Sequence, residues 1–336
     1  MRYLIILTFL LIPTFFARAN TYFLNYPFIE KSIQLPALDL NPNKVTVSGL
    51  SSGAFMAVQL GVAYSSVFQG VAAVAGGIYG CAEGQVKIAQ DLCMKDPEKI
   101  EVNKYVNRAT DYFNNGLIDD PKNIRDQKVF ILAGSEDKTI LPKASKKLEE
   151  FYTKLGVQSE SEYSLKMGHG FPSEKGKVTC ADSIFPWINN CGYNGAQHIL
   201  EALYGKLDSP KGTASLAPVA FDQTEFASKD ATMLDYGYIY IPKSCEEKKG
   251  HCRLHVALHG CLQDPSIANQ NFIQETGYNE WANANNIVVL YPSAKIGIGN
   301  PSGCWDWFGY TGADYETKSA KQMITIMRMI NRLLSN

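Results

Sequence analysis

The chain has 336 residues, of which 32 are basic and 33 acidic, and its formal net charge is −1 at pH 7. A balanced charge of this kind gives no electrostatic reason to expect nucleic acid or an anionic membrane as a partner. The length is enough for one large α/β domain with a substantial core, or for two small domains.

The first segment predicts export. Residues 3–16 are apolar, and an Ala-Arg-Ala cleavage pattern follows them at 17–19. The apolar stretch is short for a membrane span and contains Pro13, so we expect a signal peptide at residues 1–19 rather than a retained anchor. No other stretch of the sequence is apolar and long enough to span a bilayer. The sequence therefore predicts a secreted or periplasmic protein with a single catalytic domain at residues 20–336.

Eight cysteines in an exported chain indicate disulfides rather than a metal site. They fall as sequence neighbours, so the simplest pairing is four local bonds: Cys81 with Cys93, Cys180 with Cys191, Cys245 with Cys252, and Cys261 with Cys304. The alternative is a zinc site, which His251 beside Cys252 would favour. Because no Cys-x-x-Cys pair occurs, we expect no metal and no cofactor.

Strands alternate with helices along the chain, a pattern that predicts a mostly parallel sheet with helices on both faces. The strand candidates lie at 44–48, 71–76, 128–134, 161–167, 236–242, 252–260 and 286–292. The helical stretches lie at 52–66, 98–115, 142–155, 194–205, 268–284 and 314–334. Between them, the irregular polar region 206–232 is interpreted as a surface connection within one domain, because neither half of the chain has a full set of strands.

The stretch VTVSGLSSGAFMAV, which begins at Val45, predicts a strand, a sharp turn and a helix. Ser51 is centred in Gly-Leu-Ser-Ser-Gly, which matches the G-x-S-x-G elbow of serine hydrolases. A serine hydroxyl is a poor nucleophile at neutral pH, so it needs a histidine base that a carboxylate orients. In the common hydrolase layout several strands and the oxyanion loop precede this elbow, whereas here the elbow comes first.

Asp137 and His169 complete a candidate catalytic triad. His169 directly follows the strand candidate at 161–167, and glycines on both sides would let its ring reach a cleft. Asp137 lies on a loop beyond the carboxyl end of an apolar strand, where open α/β sheets place their active sites. A turn or helix-capping aspartate is the alternative. The order Ser51, Asp137, His169 is the hydrolase order, and it favours the triad.

The sequence LHVALHGCLQ at 254–263 predicts an apolar strand that runs into His259-Gly260-Cys261. This is similar to the HG-type oxyanion loop that normally precedes the nucleophile. The last three strand candidates therefore look like the opening strands of an α/β-hydrolase, moved to the carboxyl-terminal half. Chain ends are often close in a folded domain, so such a circular permutation can leave the sheet intact. We expect a circularly permuted α/β-hydrolase fold.

The same segments resemble a known family. SGLSSGAFMAVQL, AGSEDKTI, MGHGFP, LHGCLQ and GCWDWFGY together resemble the circularly permuted, single-domain poly(3-hydroxybutyrate) depolymerases over nearly the whole chain after the signal peptide. The resemblance implies hydrolysis of ester bonds in a polyhydroxyalkanoate or its oligomers, so the expected partner is a polyester or oligoester. It implies Ser51 as nucleophile, His169 as general base and then acid, and Asp137 as the orienting carboxylate.

The resemblance also implies the oxyanion hole and a substrate contact. Family members use two backbone N–H groups, and these match Ser52 and Cys261. A bond from Cys261 to Cys304 would tether the loop to CWDWFGY. In the family a tryptophan of this segment contacts the polyester, which favours Trp307 over Trp305, although both fit the local pattern. Core packing is the alternative for these aromatic residues.

The remaining histidines receive structural roles. His259 needs no catalytic role beside the two N–H groups and is expected to hold the loop. His255 falls inside a strand candidate, where a buried role is expected. His198 begins a helical turn, and His251 lies in a charged loop between two cysteines.

Two other functions stay open at this point. A secreted carboxylesterase acting on feruloyl or acetyl esters of polysaccharide would share the elbow and the His-Gly-Cys loop. A non-catalytic binding module with the hydrolase fold is the second alternative, and the intact Ser51, Asp137 and His169 oppose it.

Overall fold

The computed structural model describes residues 32–212, 214, 217–247 and 250–336. The signal peptide expected at residues 1–19 lies outside them. An eight-stranded sheet runs through the described residues in the order β4-β3-β2-β1-β10-β11-β9-β8. Its strands are β1 (Val45–Leu50), β2 (Phe68–Val74), β3 (Lys128–Leu132), β4 (Glu160–Glu162), β8 (Val219–Asp222), β9 (Tyr236–Tyr240), β10 (Arg253–Leu258) and β11 (Ile287–Tyr291).

Helices separate most of these strands, as the alternating pattern predicts. They are α1 (Ser52–Ala63), α2 (Val86–Ile88), α3 (Val102–Asn114), α4 (Pro142–Lys154), α5 (Gly195–Tyr204), α6 (Lys243–Glu247), α7 (Asn271–Glu275), α8 (Tyr278–Ala284) and α9 (Lys321–Leu334). A π-helix at Ala89–Lys95 continues α2. Within the described ranges, none of the helices is long and apolar enough to cross a membrane.

Strand β1 lies near the middle of the sheet and pairs in parallel with β2 on one side and β10 on the other. All six residues of β1 are buried. Because successive side chains of a strand point to opposite faces, both faces of the sheet are covered here. Gly49 lies opposite Leu258 in the register, so the segments that follow β1 and β10 emerge side by side. The circular permutation itself stays a prediction from motif order.

Strands β9 and β8 form the antiparallel edge of an otherwise parallel sheet, since β9 pairs antiparallel with β11 and β8 pairs antiparallel with β9. The α/β-hydrolase fold with a mostly parallel sheet is therefore confirmed. Strand β8, however, lies inside the region 206–232, which was expected to be irregular. That expectation was wrong. The strand was missed because it has only a few residues, lies at the edge of the sheet and is partly exposed.

A second, three-stranded sheet lies between β4 and β8 in the chain. It consists of β5 (Phe171–Pro172), β6 (Val178–Thr179) and β7 (Ile188–Asn190) in the order β5-β7-β6. Asn189 is fully buried within it and donates from Nδ2 to the carbonyls of Cys180 and Asp182 at 2.9 and 2.7 Å. Strands this short carry no recognisable alternation, and the sequence did not predict them.

Three other elements show the larger differences from the sequence expectations. The strand expected at 161–167 is only three residues long in β4. The helix expected at 268–284 is divided into α7 and α8 by Gly277, which has a φ of 91°. The last helix begins at Lys321, because the residues from 314 to 320 form turns.

The structure contains four disulfides, and they join the sequence neighbours. The bonds are Cys81–Cys93, Cys180–Cys191, Cys245–Cys252 and Cys261–Cys304. The described part of the chain contains no free cysteine and no group of three or more His, Cys, Asp or Glu residues arranged to hold a metal ion.

Candidate active site

Ser51 lies in the tight turn between β1 and α1. Its φ of 55° and ψ of −120° are a strained combination for a residue with a side chain, and its N–H donates to the carbonyl of Val74 at 2.9 Å. A Cβ on Gly49 would lie 2.2 Å from the carbonyl of Gly53. The turn therefore requires glycine at position 49, which is the physical basis of the first glycine of the G-x-S-x-G pattern.

The three side chains expected to form a triad meet in one hydrogen-bonded chain. His169 Nδ1 lies 2.7 Å from Asp137 Oδ2, and His169 Nε2 lies 3.0 Å from Ser51 Oγ. A carboxylate can only accept, so Nδ1 carries the proton and Nε2 is free to accept from the serine hydroxyl. All three residues are buried, although Ser51 and His169 border a cavity. This arrangement can remove the serine proton while the carboxylate orients the ring.

Asp137 uses its two carboxylate oxygens for different purposes. Oδ2 accepts from His169, while Oδ1 accepts from the backbone N–H groups of Thr139 and Ile140 at 2.8 and 3.0 Å. The sequence left a turn role and a triad role for Asp137 as alternatives. In the structure Asp137 has the contacts for both, with one oxygen for each. The turn fixes the direction of the carboxylate toward the histidine.

Backbone contacts bring the two loops that carry Asp137 and His169 together. The N–H of Ser135 donates to Leu165 O at 2.8 Å, and the N–H of Glu136 donates to Met167 O at 3.1 Å. A Cβ on Gly134 would lie 2.1 Å from the Met167 carbonyl oxygen, so this approach requires glycine. The chain after β4 therefore stays beside the β3 loop without forming a regular strand.

Two backbone N–H groups belong to residues that line the cavity beside Ser51. One belongs to Ser52, the first residue of α1, and the other to Cys261 in the loop after β10. Among the residues that the structure describes, neither N–H has an acceptor. The N–H groups of a first helical turn carry partial positive charge, which favours an oxyanion. Sequence reasoning named both residues.

The two candidate substrate-binding tryptophans have different environments. Trp307 lines the cavity and stacks on Phe55, with ring centroids 4.0 Å apart. Trp305 is fully buried and does not line the cavity, so its expected contact with substrate needs correction. Its indole Nε1 donates to His259 O at 3.0 Å, and its backbone N–H donates to Ser52 Oγ at 3.3 Å. Trp305 thus joins the elbow to the loop after β10.

A cavity of about 450 Å³ opens beside Ser51 and His169. Its walls are largely apolar, and several wall residues were not identified from the sequence: Met94, Ile140 and Trp187 among them. Trp187 follows Pro186 in the segment FPWINN. An aromatic residue in a proline-containing loop was a signal from which a wall residue could have been predicted. No sequence signal distinguished Met94 or Ile140 from ordinary core residues. A cavity of this size lies within the range of small-molecule binding sites.

Two further histidines are buried near the site without entering the cavity. His255 bonds to Thr46 and Ser48 at 2.8 Å each, and burial lowers its pKa to about 3. This is the buried structural role expected for it. Burial also lowers the pKa of His259, against the opposing effect of Asp264. Both rings are therefore neutral at pH 7.

The remaining histidines lie away from the cavity. His198 is in α5 and stacks on Tyr193, with ring centroids 4.1 Å apart. His251 is exposed between Cys245 and the start of β10. Neither borders the cavity beside Ser51.

Comparison with known proteins places these features in a family. A family model described as the prolyl oligopeptidase family matches residues 33–194. The chain is 37% identical to a polyhydroxybutyrate depolymerase of Talaromyces funiculosus, over 90% of this chain and 92% of that protein. It is 35% identical to a poly(3-hydroxybutyrate) depolymerase of Delftia acidovorans over 91% of this chain, but it spans only 63% of that relative's length.

Solved structures agree with this relationship. A PHB depolymerase from Penicillium funiculosum matches with a TM-score of 0.82 at 35% identity, over 90% of this chain and 98% of that one. A serine-to-alanine variant of a PHB depolymerase, complexed with an R3HB trimer, matches over the same shares with a TM-score of 0.81 and 35% identity. The chain therefore belongs to the polyhydroxybutyrate depolymerase family, within the α/β-hydrolase fold.

Proposed function

We propose that the protein is a secreted serine esterase that hydrolyses ester bonds of poly(3-hydroxybutyrate)-type polyesters or their oligomers. The observation that carries the proposal is the hydrogen-bonded chain from Ser51 through His169 to Asp137 at the wall of an open cavity. Membership in the depolymerase family supports the substrate class. The four disulfides support export, and residues 20–336 then form one catalytic domain.

In the proposed mechanism, Ser51 Oγ attacks the ester carbonyl while His169 Nε2 accepts the hydroxyl proton. The developing oxyanion accepts hydrogen bonds from the N–H groups of Ser52 and Cys261. The protonated His169 gives its proton to the leaving alcohol, which leaves a 3-hydroxyacyl ester on Ser51. Water then attacks this ester with His169 as base, releasing the acid and restoring the serine. Asp137 holds the ring in the required tautomer throughout.

The substrate chain is proposed to lie along the cavity between two aromatic walls. Trp307 and Phe55 form a stacked pair on one side, and Trp187 contributes to the lining from the loop before β7. A 3-hydroxybutyrate unit has one methyl branch, so an apolar wall can hold it without polar partners for its side chain. Trp307 is the proposed polymer contact of the pair Trp305 and Trp307, because only Trp307 borders the cavity.

The experiment compares the wild type with Ser51→Ala and Ser52→Ala on amorphous poly(3-hydroxybutyrate), on the soluble 3-hydroxybutyrate trimer and on methyl ferulate. We expect the wild type to hydrolyse the polymer and the trimer in clear preference to methyl ferulate. Ser51→Ala should abolish this activity, whereas Ser52→Ala keeps its backbone N–H and should retain most of it. Preferred turnover of methyl ferulate, or an active Ser51→Ala variant, would contradict the proposal.

A further inference from the structure

In the loop after β10, hydrogen bonds fix two consecutive peptide units almost completely. In the first unit, the carbonyl of His259 accepts from Trp305 Nε1 at 3.0 Å. The N–H of the same unit, on Gly260, donates to Gln263 Oε1 at 2.7 Å. In the second unit, the carbonyl of Gly260 accepts from His259 Nδ1 at 2.7 Å and from the N–H of Gln263 at 3.3 Å. Of the four backbone groups, only the N–H of Cys261 has no hydrogen-bond partner among the described residues.

The second ring nitrogen of His259 determines which tautomer makes this contact. His259 Nε2 lies 3.2 Å from the backbone N of Ala294. A backbone amide can only donate, so Nε2 must accept and the ring proton must be on Nδ1. The ring is buried, which keeps it neutral. Only this tautomer of the ring can donate to the Gly260 carbonyl and accept from the N–H of Ala294 at the same time.

The carbonyl of Gly260 and the N–H of Cys261 belong to one planar peptide unit, and in a trans peptide they point in opposite directions. Fixing the carbonyl oxygen therefore fixes the direction of the N–H on the other side of the plane. A hydrogen bond to the carbonyl also polarises the unit and strengthens the N–H as a donor. The short bond comes from the histidine ring, and the longer one from Gln263.

We propose that His259 is a positioning residue for the oxyanion hole, with its Nδ1–H tautomer set by Ala294 and its donation to Gly260 holding the Cys261 N–H toward the ester at Ser51. The inference rests on the proposed function, because it takes the Cys261 N–H as an oxyanion donor. His259 itself does not touch the substrate. It acts only through the peptide unit that follows it.

Two amide variants separate the two ring nitrogens. In His259→Asn the side-chain amide nitrogen replaces Nδ1 and can still donate to Gly260, while the acceptor for Ala294 is lost. In His259→Gln the amide lies near the position of Nε2 and can accept from Ala294, but it no longer donates to Gly260. His255→Gln is the matched control. Like His259, His255 is buried and has two hydrogen bonds, but it lies within β10 and has no bond to the loop.

The readouts are kcat and KM on p-nitrophenyl butyrate, together with thermal unfolding. We expect kcat to fall by up to about a hundredfold in His259→Gln and by about tenfold or less in His259→Asn, with KM nearly unchanged in both. His255→Gln should lower the melting temperature while the folded protein keeps nearly the wild-type kcat. A wild-type kcat in His259→Gln, or equal losses in both His259 variants that follow their loss of stability, would overturn the positioning role.

The tautomer can be measured without any substrate. In ¹⁵N-labelled wild-type protein, the nitrogen spectrum of His259 should show a protonated Nδ1 and an unprotonated Nε2. A proton on Nε2, or on both nitrogens at neutral pH, would overturn the inference. Wild-type protein that hydrolyses no ester would instead contradict the proposed function, and the nitrogen spectrum would then decide the tautomer alone.

Discussion

Gly53 lies directly against the end of β10: a Cβ on Gly53 would fall 2.4 Å from the carbonyl oxygen of Leu258. This is closer than a side-chain carbon can approach an oxygen, so the first turn of α1 packs directly against the backbone at the end of β10. The two segments are far apart in sequence, and they meet because β1 and β10 are neighbours in the sheet. Gly53, the second glycine of the elbow, is therefore required for the close contact between α1 and the end of β10.

Gly53→Ala should push the loop after β10 away from Ser51. We expect a lower kcat on p-nitrophenyl butyrate, by on the order of a hundredfold, because one oxyanion donor is worth about that much. The matched control is Gly61→Ala in the same helix, whose Cβ would lie nearest to side-chain atoms of Val71 rather than to backbone. Both variants should lose stability, but only Gly53→Ala should lose kcat in its folded fraction. Equal kcat values in the two variants would contradict this role of Gly53.

Asp137 allows stability and catalysis to be separated, because its two oxygens have different partners. Asp137→Asn can keep an oxygen for the N–H groups of Thr139 and Ile140 but cannot orient His169 as a carboxylate does. We expect kcat to fall by about 10⁴-fold with little change in thermal stability. Asp137→Ala should lose similar activity and also about 1 kcal/mol of unfolding free energy, since the turn loses its acceptor.

Activity assays and thermal unfolding of both Asp137 variants check this prediction. A large loss of stability in Asp137→Asn, equal to that of Asp137→Ala, would show that the turn depends on the charge rather than on the oxygen. Retained activity in either variant would remove Asp137 from the proposed triad.

The sequence alone predicted the site better than its surroundings. Ser51, Asp137 and His169 each come after a strand and each has a local sequence signal. Ser51 lies between two glycines, Asp137 follows an apolar run, and His169 has a glycine on each side. Trp305 and Trp307 lie two residues apart in one motif, and nothing local indicates which of them lines the cavity. That difference comes from tertiary contacts, since Trp305 bonds to His259 and Trp307 stacks on Phe55.

The missed elements have the same cause. Strand β8 and the three short strands after His169 are stabilised by their neighbours rather than by a periodic pattern. The cavity wall also combines residues from distant segments, such as Met94, Ile140 and Trp187. Their common location is a property of the fold, so residue type alone does not reveal it.

The Cys261–Cys304 bond joins the loop after β10 to the segment that carries Trp307. The cysteines are 43 residues apart, so chain entropy gives the bond a stabilising effect of about 4 kcal/mol. The double variant Cys261→Ala/Cys304→Ala keeps the backbone N–H of residue 261. We expect a lower melting temperature, and a greater loss of activity on amorphous polymer than on p-nitrophenyl butyrate, because a short ester needs little of the cavity wall.

The control for this variant is Cys245→Ala/Cys252→Ala, which removes a bond of sequence separation 7 whose cysteines do not line the cavity. It should lose less stability and should keep the wild-type ratio of polymer to ester activity. An unchanged ratio in both double variants would contradict the link between the Cys261–Cys304 bond and the wall at Trp307.

Stability should depend on pH through His255. Burial lowers its pKa from 6.5 to about 3 in the folded protein, so between these values the unfolded chain binds a proton that the folded chain does not. The contribution of His255 is therefore complete above its unfolded pKa and is lost as pH falls below it, by about 1.4 kcal/mol for each pH unit.

The test compares the wild type with His255→Gln by urea unfolding at several pH values from 7.5 downward. The wild type should be the more stable protein at pH 7.5, and its advantage should shrink steadily below about pH 6.5. A difference that does not change with pH would show that His255 is already protonated in the folded protein or is not buried as described.

The central claim is that Ser51 is the nucleophile for a 3-hydroxybutyrate ester. The most direct measurement is stoichiometric labelling of the wild type with a fluorophosphonate, with the labelled residue mapped by peptide mass spectrometry and hydrolysis of the 3-hydroxybutyrate trimer followed in the same sample. The account predicts a single label on Ser51 and loss of trimer hydrolysis in proportion to labelling. A label on Ser52 or elsewhere, or trimer hydrolysis that survives complete labelling of Ser51, would contradict it.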